Sequence, residues 1–228
     1  MGLYGFVTEQ LPSAPARVLE VGCGRGDLAR AIAEAGHEVV AIDPDAPAGD
    51  LFRATSLEEF ADPEPFDAVV ARLLLFHLPD AVDVVRHHVD GLRPGGRFVA
   101  IDFDLGGVRA EPPVALLAQA LGWVEAAFRA AGADPRIGTR LQRILAEAGL
   151  SDAESLGLSR YYAPEDPTAP RLLAGVVRTL VPAIVAAGVA TEDEIVIETL
   201  EQRIAEESIA MDATLMVPTV VGAWAIRA

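Results

Sequence analysis

The segment Glu20-Val21-Gly22-Cys23-Gly24-Arg25-Gly26 sets a carboxylate just ahead of three glycines on alternate positions, a spacing suited to holding a ligand against bare main chain. Glycine permits positive φ and removes the side chain that would keep a ligand away from the backbone amides. The residues on either side say what must position this turn. Val18, Leu19 and Val21 suit a buried parallel strand, and Leu28, Ala29, Ile32 and Ala33 recur at helical spacing. Asp27 is expected to cap that helix. A strand, a tight glycine turn and a helix form a place where nucleotide-like ligands lie, at the carboxyl edge of a parallel sheet.

Spacing separates the nucleotides. A dinucleotide fingerprint needs G-x-G-x-x-G, and counting from Gly22 and Gly24 the third glycine would fall at Asp27. A nicotinamide oxidoreductase is therefore disfavoured. The chain reads instead Glu20-x-Gly22-x-Gly24-x-Gly26, with Asp43 ending the next expected strand, Val39-Val40-Ala41-Ile42, and Pro44 stopping it. This resembles the class I S-adenosylmethionine-dependent methyltransferases of the bacterial small-molecule type. The resemblance continues in Phe66-Asp67-Ala68-Val69-Val70-Ala71-Arg72, in Phe76-His77-Leu78-Pro79-Asp80 and in Leu92-Arg93-Pro94-Gly95-Gly96. It covers residues 17 to 104 with good motifs and the rest more loosely.

The resemblance implies S-adenosylmethionine as cofactor, with S-adenosylhomocysteine as product. Glu20 would then help hold the methionine ammonium, Gly22, Cys23, Gly24 and Gly26 would pass the cofactor along the backbone, and Asp43, followed by Pro44, would take the ribose hydroxyls. Ser56 or Thr55 would meet the adenine amino group with Leu57 on the ring face, although Ser56 equally suits a helix N-cap paired with Glu59. Arg72 and Leu73 would fall beside the cofactor. Enzymes that methylate nucleobase amines or protein glutamine have Asn/Asp-Pro-Pro-Tyr-like residues there, and Arg72-Leu73-Leu74-Leu75 departs from that pattern. Three groups could act as a base on the acceptor: His77, Asp102 and Asp104. His77 equally suits a role in ordering its loop. Asp102 and Asp104 share one side of an extended segment and could orient an acceptor or bind a metal, although one carboxylate pair without a further ligand is a poor metal site by itself.

The elements beyond this centre alternate. Strands are expected near 17–21, 38–42, 51–54, 68–71 and 97–102, with helices near 27–35, 57–60 and 80–92, which argues for an α/β fold. The expected fold is doubly wound: a mostly parallel seven-stranded sheet, helices on both faces, and a helical insertion before the last strand. One domain spans 1–228. It comprises a leading segment (1–16), a cofactor-binding core (17–104), helices over the acceptor side (112–149), the insertion (167–209) and a final strand region (211–228). The Pro94-Gly95-Gly96 turn is expected to end a helix and launch the fifth strand. The sixth strand is expected near 153–162, followed by a helix 168–187 kinked or divided at Pro182. Thr191-Glu192-Asp193-Glu194 opens another helix with a capping box. The insertion serves as a lid on the acceptor or as a dimer contact.

Composition bounds the function classes. The chain has 228 residues, is 51% hydrophobic and carries 18 basic against 34 acidic residues, a formal net charge of −16. Such a charge repels a phosphate backbone, so nucleic acid is a poor partner. The lone Cys23 agrees with a reducing compartment. Its position suits a small turn residue better than a reactive thiol. The N-terminus lacks a signal-peptide pattern, and the apolar stretch from Leu172 to Val189 is interrupted by Arg178, Pro182 and glycines. The expectation is a cytoplasmic enzyme that methylates a small, rather apolar acceptor, without membrane association, as a monomer or homodimer. Two other readings stay open: use of the same cofactor only as a positive charge for decarboxylation or cyclisation, and a non-catalytic cofactor-binding module.

Overall fold

A computed structural model describes residues 3–228. In chain order, α1 (Leu3–Gln10) leads to β1 (Arg17–Val21), α2 (Asp27–Glu34), β2 (Glu38–Asp43), β3 (Phe52–Ala54), β4 (Phe66–Arg72), α3 (Ala81–Asp90) and β5 (Leu92–Asp104). Then come β6 (Arg109–Glu111), α4 (Ala115–Ala130), α5 (Leu141–Glu147), β7 (Glu154–Leu158) and β8 (Tyr161–Tyr162). The chain closes with α6 (Thr168–Ala186), α7 (Glu192–Ile195), α8 (Ile197–Ala210), β9 (Thr214–Met216) and β10 (Thr219–Ile226). These elements form two compact units. The first comprises the described residues up to Asp102, Ile137–Gly157 and Val220–Ala228, and the second Phe103–Arg136 and Leu158–Thr219.

The first unit is built on a seven-stranded sheet in the order β3-β2-β1-β4-β5-β10-β7. Strands β1, β2, β3, β4 and β5 pair in parallel, with Val21 opposite both Ile42 and Ala71. The runs Val18-Leu19 and Ala68-Val69-Val70-Ala71 are buried throughout, as strands covered on both faces must be. Arg227, just past the end of β10, exchanges hydrogen bonds with Gly95 and Gly96, while the first residue of β10 lies against Gly107, past the end of β5. β10 therefore runs antiparallel. The mostly parallel seven-stranded α/β sheet expected from sequence is thus present, and the helices α6, α7 and α8 precede its last strand in the chain. Phe6, Val7, Val18, Leu28, Ile32 and Ile101 are among the residues of one continuous apolar cluster here. Each such side chain contributes about 1.5–3 kcal/mol on burial.

The second unit packs α4, α6 and α8 around buried Leu117, Trp123, Val177, Ile184, Leu200 and Ile204. Beside them lies a three-stranded antiparallel sheet, β6-β9-β8. Glu207 joins two of the helices by accepting hydrogen bonds from the Ala115 and Leu116 amides at 2.7 and 3.1 Å, which satisfies otherwise free donors at the start of α4.

Several local expectations change. Residues 57–60 form a single turn and no helix: Ser56 Oγ accepts from the Glu59 amide, but Pro63 and Pro65 follow and stop further turns. The helix expected to reach Leu92 ends at Asp90, and Leu92 already pairs with Phe66. Pro94-Gly95-Gly96 is therefore an irregularity inside β5, where Gly95 adopts φ 78°. The single strand expected over 153–162 divides into β7 of the large sheet and β8 of the small one, and Leu215-Met216 likewise joins the small sheet. Pro182 lies within a continuous α6. Asp27 is the first helical residue and not the cap, a position held by Gly26 in the left-handed region.

Candidate functional site

The order of the parallel strands reverses at β1, between β2 on one side and β4 on the other, and ligands in such sheets bind beyond the carboxyl ends at this reversal. The glycine turn emerges there. Ile42 O accepts from the Gly22 and Cys23 amides at 2.8 and 3.0 Å, and Cys23 O accepts from Gly26, which folds the turn back on itself. Gly22 has φ 72°, and a Cβ on it would stand 2.6 Å from Leu74 Cδ1. Gly24 has φ 50°, is exposed, and a Cβ there would enter open space. Gly26 is closed off differently, since a Cβ would strike the Phe52 ring at 2.3 Å. The turn thus needs glycine at Gly22 and Gly26 to pack, and at Gly24 it leaves a bare stretch of main chain facing outward.

Two carboxylates flank that stretch. Asp43 Oδ2 accepts from the Gly24 amide at 2.9 Å, and its Oδ1 accepts from the Asp45 amide at 2.9 Å. Asp43 ends β2 and is half-buried; Pro44 beside it is exposed. Glu20 is fully buried, and neither carboxylate oxygen has a partner at hydrogen-bonding geometry. Burial pushes its pKa up to about 7, against the opposing pull of the Arg72 guanidinium and the Ala29 amide. The Asp27 and Asp43 charges push the same way as burial, more weakly. The Ala29 amide stands near but outside hydrogen-bonding geometry, and a buried acid so poorly satisfied calls for a cationic or hydrogen-bonding partner.

Cys23 is buried, and its thiol is pushed up to about 12 by burial and by the Glu20 and Asp43 charges, so it is inert. Across the turn, Arg72 closes β4 half-buried, and Leu73 takes φ 52°, an unusual conformation for a branched residue. The Leu73 amide donates to Ile101 O at 2.7 Å, which directs Leu74 onto Gly22. Beyond β3, the Thr55 amide donates to Asp43 O at 3.3 Å, which brings Thr55, half-buried Ser56 and buried Leu57 to the same edge as Asp43.

Of the three candidate bases, Asp102 is fully buried and accepts from the Phe76 amide at 3.1 Å. His77 follows Phe76 in a turn of 3-10 helix, exposed, its ring 3.6 Å from that of Phe76. Partial desolvation lowers its pKa. Asp104 belongs to the second unit, where its Oδ1 accepts from the Gly106 amide at 2.8 Å. The structure therefore gathers Glu20, Gly22, Gly24, Asp43 and Leu73 at one edge, and gives Asp102 and Asp104 main-chain work. Sequence reasoning missed Leu74 and Phe52 as the side chains that shape the turn. Their only signal was the small size of the glycines they press against. Among the described residues no group of three or more His, Cys, Asp or Glu is placed to hold a metal ion.

Residues 5–155 match the family described as "Methyltransferase domain". The ubiquinone biosynthesis O-methyltransferase of Xylella fastidiosa is 34% identical over 110 residues, which cover 40% of this chain and 44% of that protein. The chain thus spans less than half the length of that curated relative. Among solved structures, Haemonchus contortus phosphoethanolamine N-methyltransferase 2, in complex with phosphomonomethylethanolamine and S-adenosylhomocysteine, superposes with a TM-score of 0.57 at 16% identity, over 97% of this chain and 51% of that one. Geranyl diphosphate C-methyltransferase from Streptomyces coelicolor gives 0.56 at 16% identity, over 99% and 78%. At these identities the two structures speak for the fold alone.

Proposed function

This chain belongs to the class I S-adenosylmethionine-dependent methyltransferases, and from that premise we propose that it transfers a methyl group to a small, rather apolar acceptor. The observation that carries the proposal is the pairing at one sheet edge of an unpartnered buried acid, Glu20, with the outward-facing main chain at Gly24 and the Asp43 carboxylate. An aminoacyl nucleoside has the matching parts: an ammonium for Glu20, a ribose diol for Asp43, and a chain between them that needs a bare backbone to lie on.

S-adenosylmethionine, when bound, supplies a sulfonium methyl already activated for transfer. The residues of the chain then bind and orient. Asp43, already anchored through the Gly24 and Asp45 amides, keeps lone pairs for the ribose hydroxyls. Glu20 offers its charge to the ammonium, and the turn must open locally to admit it, because both oxygens are shut off from solvent. Leu57 offers an apolar face and Ser56 a hydroxyl to the adenine ring. Arg72 and Leu73 close the opposite side, and the apolar run Leu73-Leu74-Leu75 excludes water from the transfer, which proceeds chiefly by alignment. For an acceptor that must lose a proton, His77 is the residue we assign as base. Desolvation favours its neutral, proton-accepting form, whereas Asp102 and Asp104 are engaged with backbone amides.

Support for a small acceptor comes from the net charge of −16, which disfavours nucleic acid, and from the relative named for ubiquinone biosynthesis. We assign the chain to the cytoplasm from its lone, free Cys23, which agrees with a reducing compartment. Titration calorimetry with S-adenosylmethionine tests the cofactor, and incorporation of labelled methyl from a metabolite extract, in step with S-adenosylhomocysteine formation, tests the transfer. Cofactor left unchanged while product forms would replace this reading with use of the sulfonium as a charge. Tight binding of NADH in its place would end it.

A further inference from the structure

Helix α6 does not fit the role of a core helix. Among the described residues it is the one helix long and apolar enough to cross a membrane by length and composition, yet only 28% of its most apolar stretch is buried. Leu172, Val176, Thr179, Ala183 and Ala186 recur at three- and four-residue steps along one exposed face. The buried face is the opposite one, with Ala174, Val177 and Ile184. An amphipathic helix that turns apolar residues both inward and outward has a second surface to cover.

Charge indicates what covers it. The helix contains two arginines and no acidic residue, in a chain with a net charge of −16. Arg171 is paired with Glu201 at 3.5 Å. Arg178 is exposed and makes no ion pair with any described residue. It borders an open cavity of about 520 Å³ whose far rim carries the exposed acids Glu192, Asp193 and Glu198. The corner between α7 and α8 fixes that rim: Val196 holds φ 44°, strained for a β-branched residue, and the Thr191–Glu194 capping box locks the turn before it. One surface therefore presents an apolar strip, an unpaired cation and an acidic notch side by side.

We propose that this surface pairs with its own copy, so that two chains form a two-fold dimer with α6 packed antiparallel on α6 and Arg178 of each directed at the acidic notch of the other. A two-fold contact requires a patch complementary to itself, and a cation beside an acidic notch on an apolar ground is such a patch. Gly175, Thr179 and Ala183 at the centre let the two helices approach closely. A lipid surface fits less well. Interfacial helices carry several basic residues on their polar face, whereas α6 has one unpaired arginine, and the charge of the chain repels an anionic leaflet.

Sedimentation velocity on the full chain over a range of micromolar concentrations tests the proposal. The expected result is a reversible dimer. Val176→Glu, which buries a charge at the contact, should give a monomer with an unchanged circular-dichroism spectrum. Arg178→Glu should weaken the dimer by about tenfold or more, and adding Asp193→Arg to it should restore association by reversing the pair. A wild-type chain that stays monomeric throughout overturns the proposal, as does a dimer indifferent to both substitutions. Flotation with vesicles of phosphatidylcholine and phosphatidylglycerol, lost in Val176→Glu, would assign the face to a membrane instead.

Discussion

Asp43 Oδ2 and the Gly24 amide are 2.9 Å apart, so the carboxylate assigned to the ribose also ties β2 to the glycine turn. Replacing it should have two effects that can be separated. Asp43→Ala should weaken S-adenosylmethionine binding by about one to two orders of magnitude, from hydrogen bonds to a charged acceptor worth about 1.5–3 kcal/mol, and it should also loosen the turn. Asp43→Asn keeps one acceptor oxygen and should fall between. Calorimetry reads the first effect, and amide exchange at Gly24 the second. Unchanged affinity in Asp43→Ala would remove the ribose assignment.

Gly22 and Gly24 should respond differently to the same methyl group. Gly22→Ala meets both a left-handed φ and Leu74, so it should lower thermal stability, with partial recovery in the double variant Leu74→Ala. Gly24→Ala meets only the backbone preference, about 1–2 kcal/mol, because its Cβ would enter open space. That space is where the cofactor is proposed to lie, so Gly24→Ala should lose binding out of proportion to its loss of stability.

Glu20 and His88 should pull stability in opposite directions across the acidic range. Glu20 is raised to about 7 by burial, so between about pH 4.5 and 7 the native state holds a proton that the unfolded state has lost, and stability falls as pH rises. His88, buried in α3, is lowered to about 4 by burial and by neighbouring His87, so between about pH 6.5 and 4 the unfolded state gains the proton first and stability falls as pH drops. Each contribution is on the order of 3 kcal/mol at its limit. The wild type should therefore show a shallow profile for these two groups, and Glu20→Gln should steepen the loss of stability on acidification. Urea midpoints from pH 4 to 8 measure this. Cofactor affinity should rise with pH up to about 7 as Glu20 ionises, and Glu20→Gln should flatten that rise.

Cys23 should resist thiol reagents in the folded chain. It is 2% exposed and its pKa is pushed up to about 12. Reaction with a disulfide reagent should become fast only in denaturant. Rapid labelling of the native protein would mean that the glycine turn opens far more often than its hydrogen bonds indicate.

The sequence alone determined what depends on short-range chemistry. Buried parallel strands read as the apolar runs Val18-Leu19 and Ala68-Val69-Val70-Ala71, alternating glycines read as the tight turn they form, and a threonine three residues ahead of a glutamate read as the cap that Thr191 and Glu194 form. What it could not decide was where short segments find partners. Tyr161-Tyr162 and Leu215-Met216 have strand character in any context, and only the tertiary structure draws them into a second sheet, because a strand acquires its identity from the neighbour that satisfies its amides. Residues 57–60 carry a helix-start signal, but Pro63 and Pro65 leave no room for the turns that would extend it. Glu20 shows the same division at the candidate site. Its place before the glycines was legible in the chain, but the burial that leaves its carboxylate with no donor at hydrogen-bonding geometry and lifts its pKa exists only once α2, β2 and β4 have packed around it.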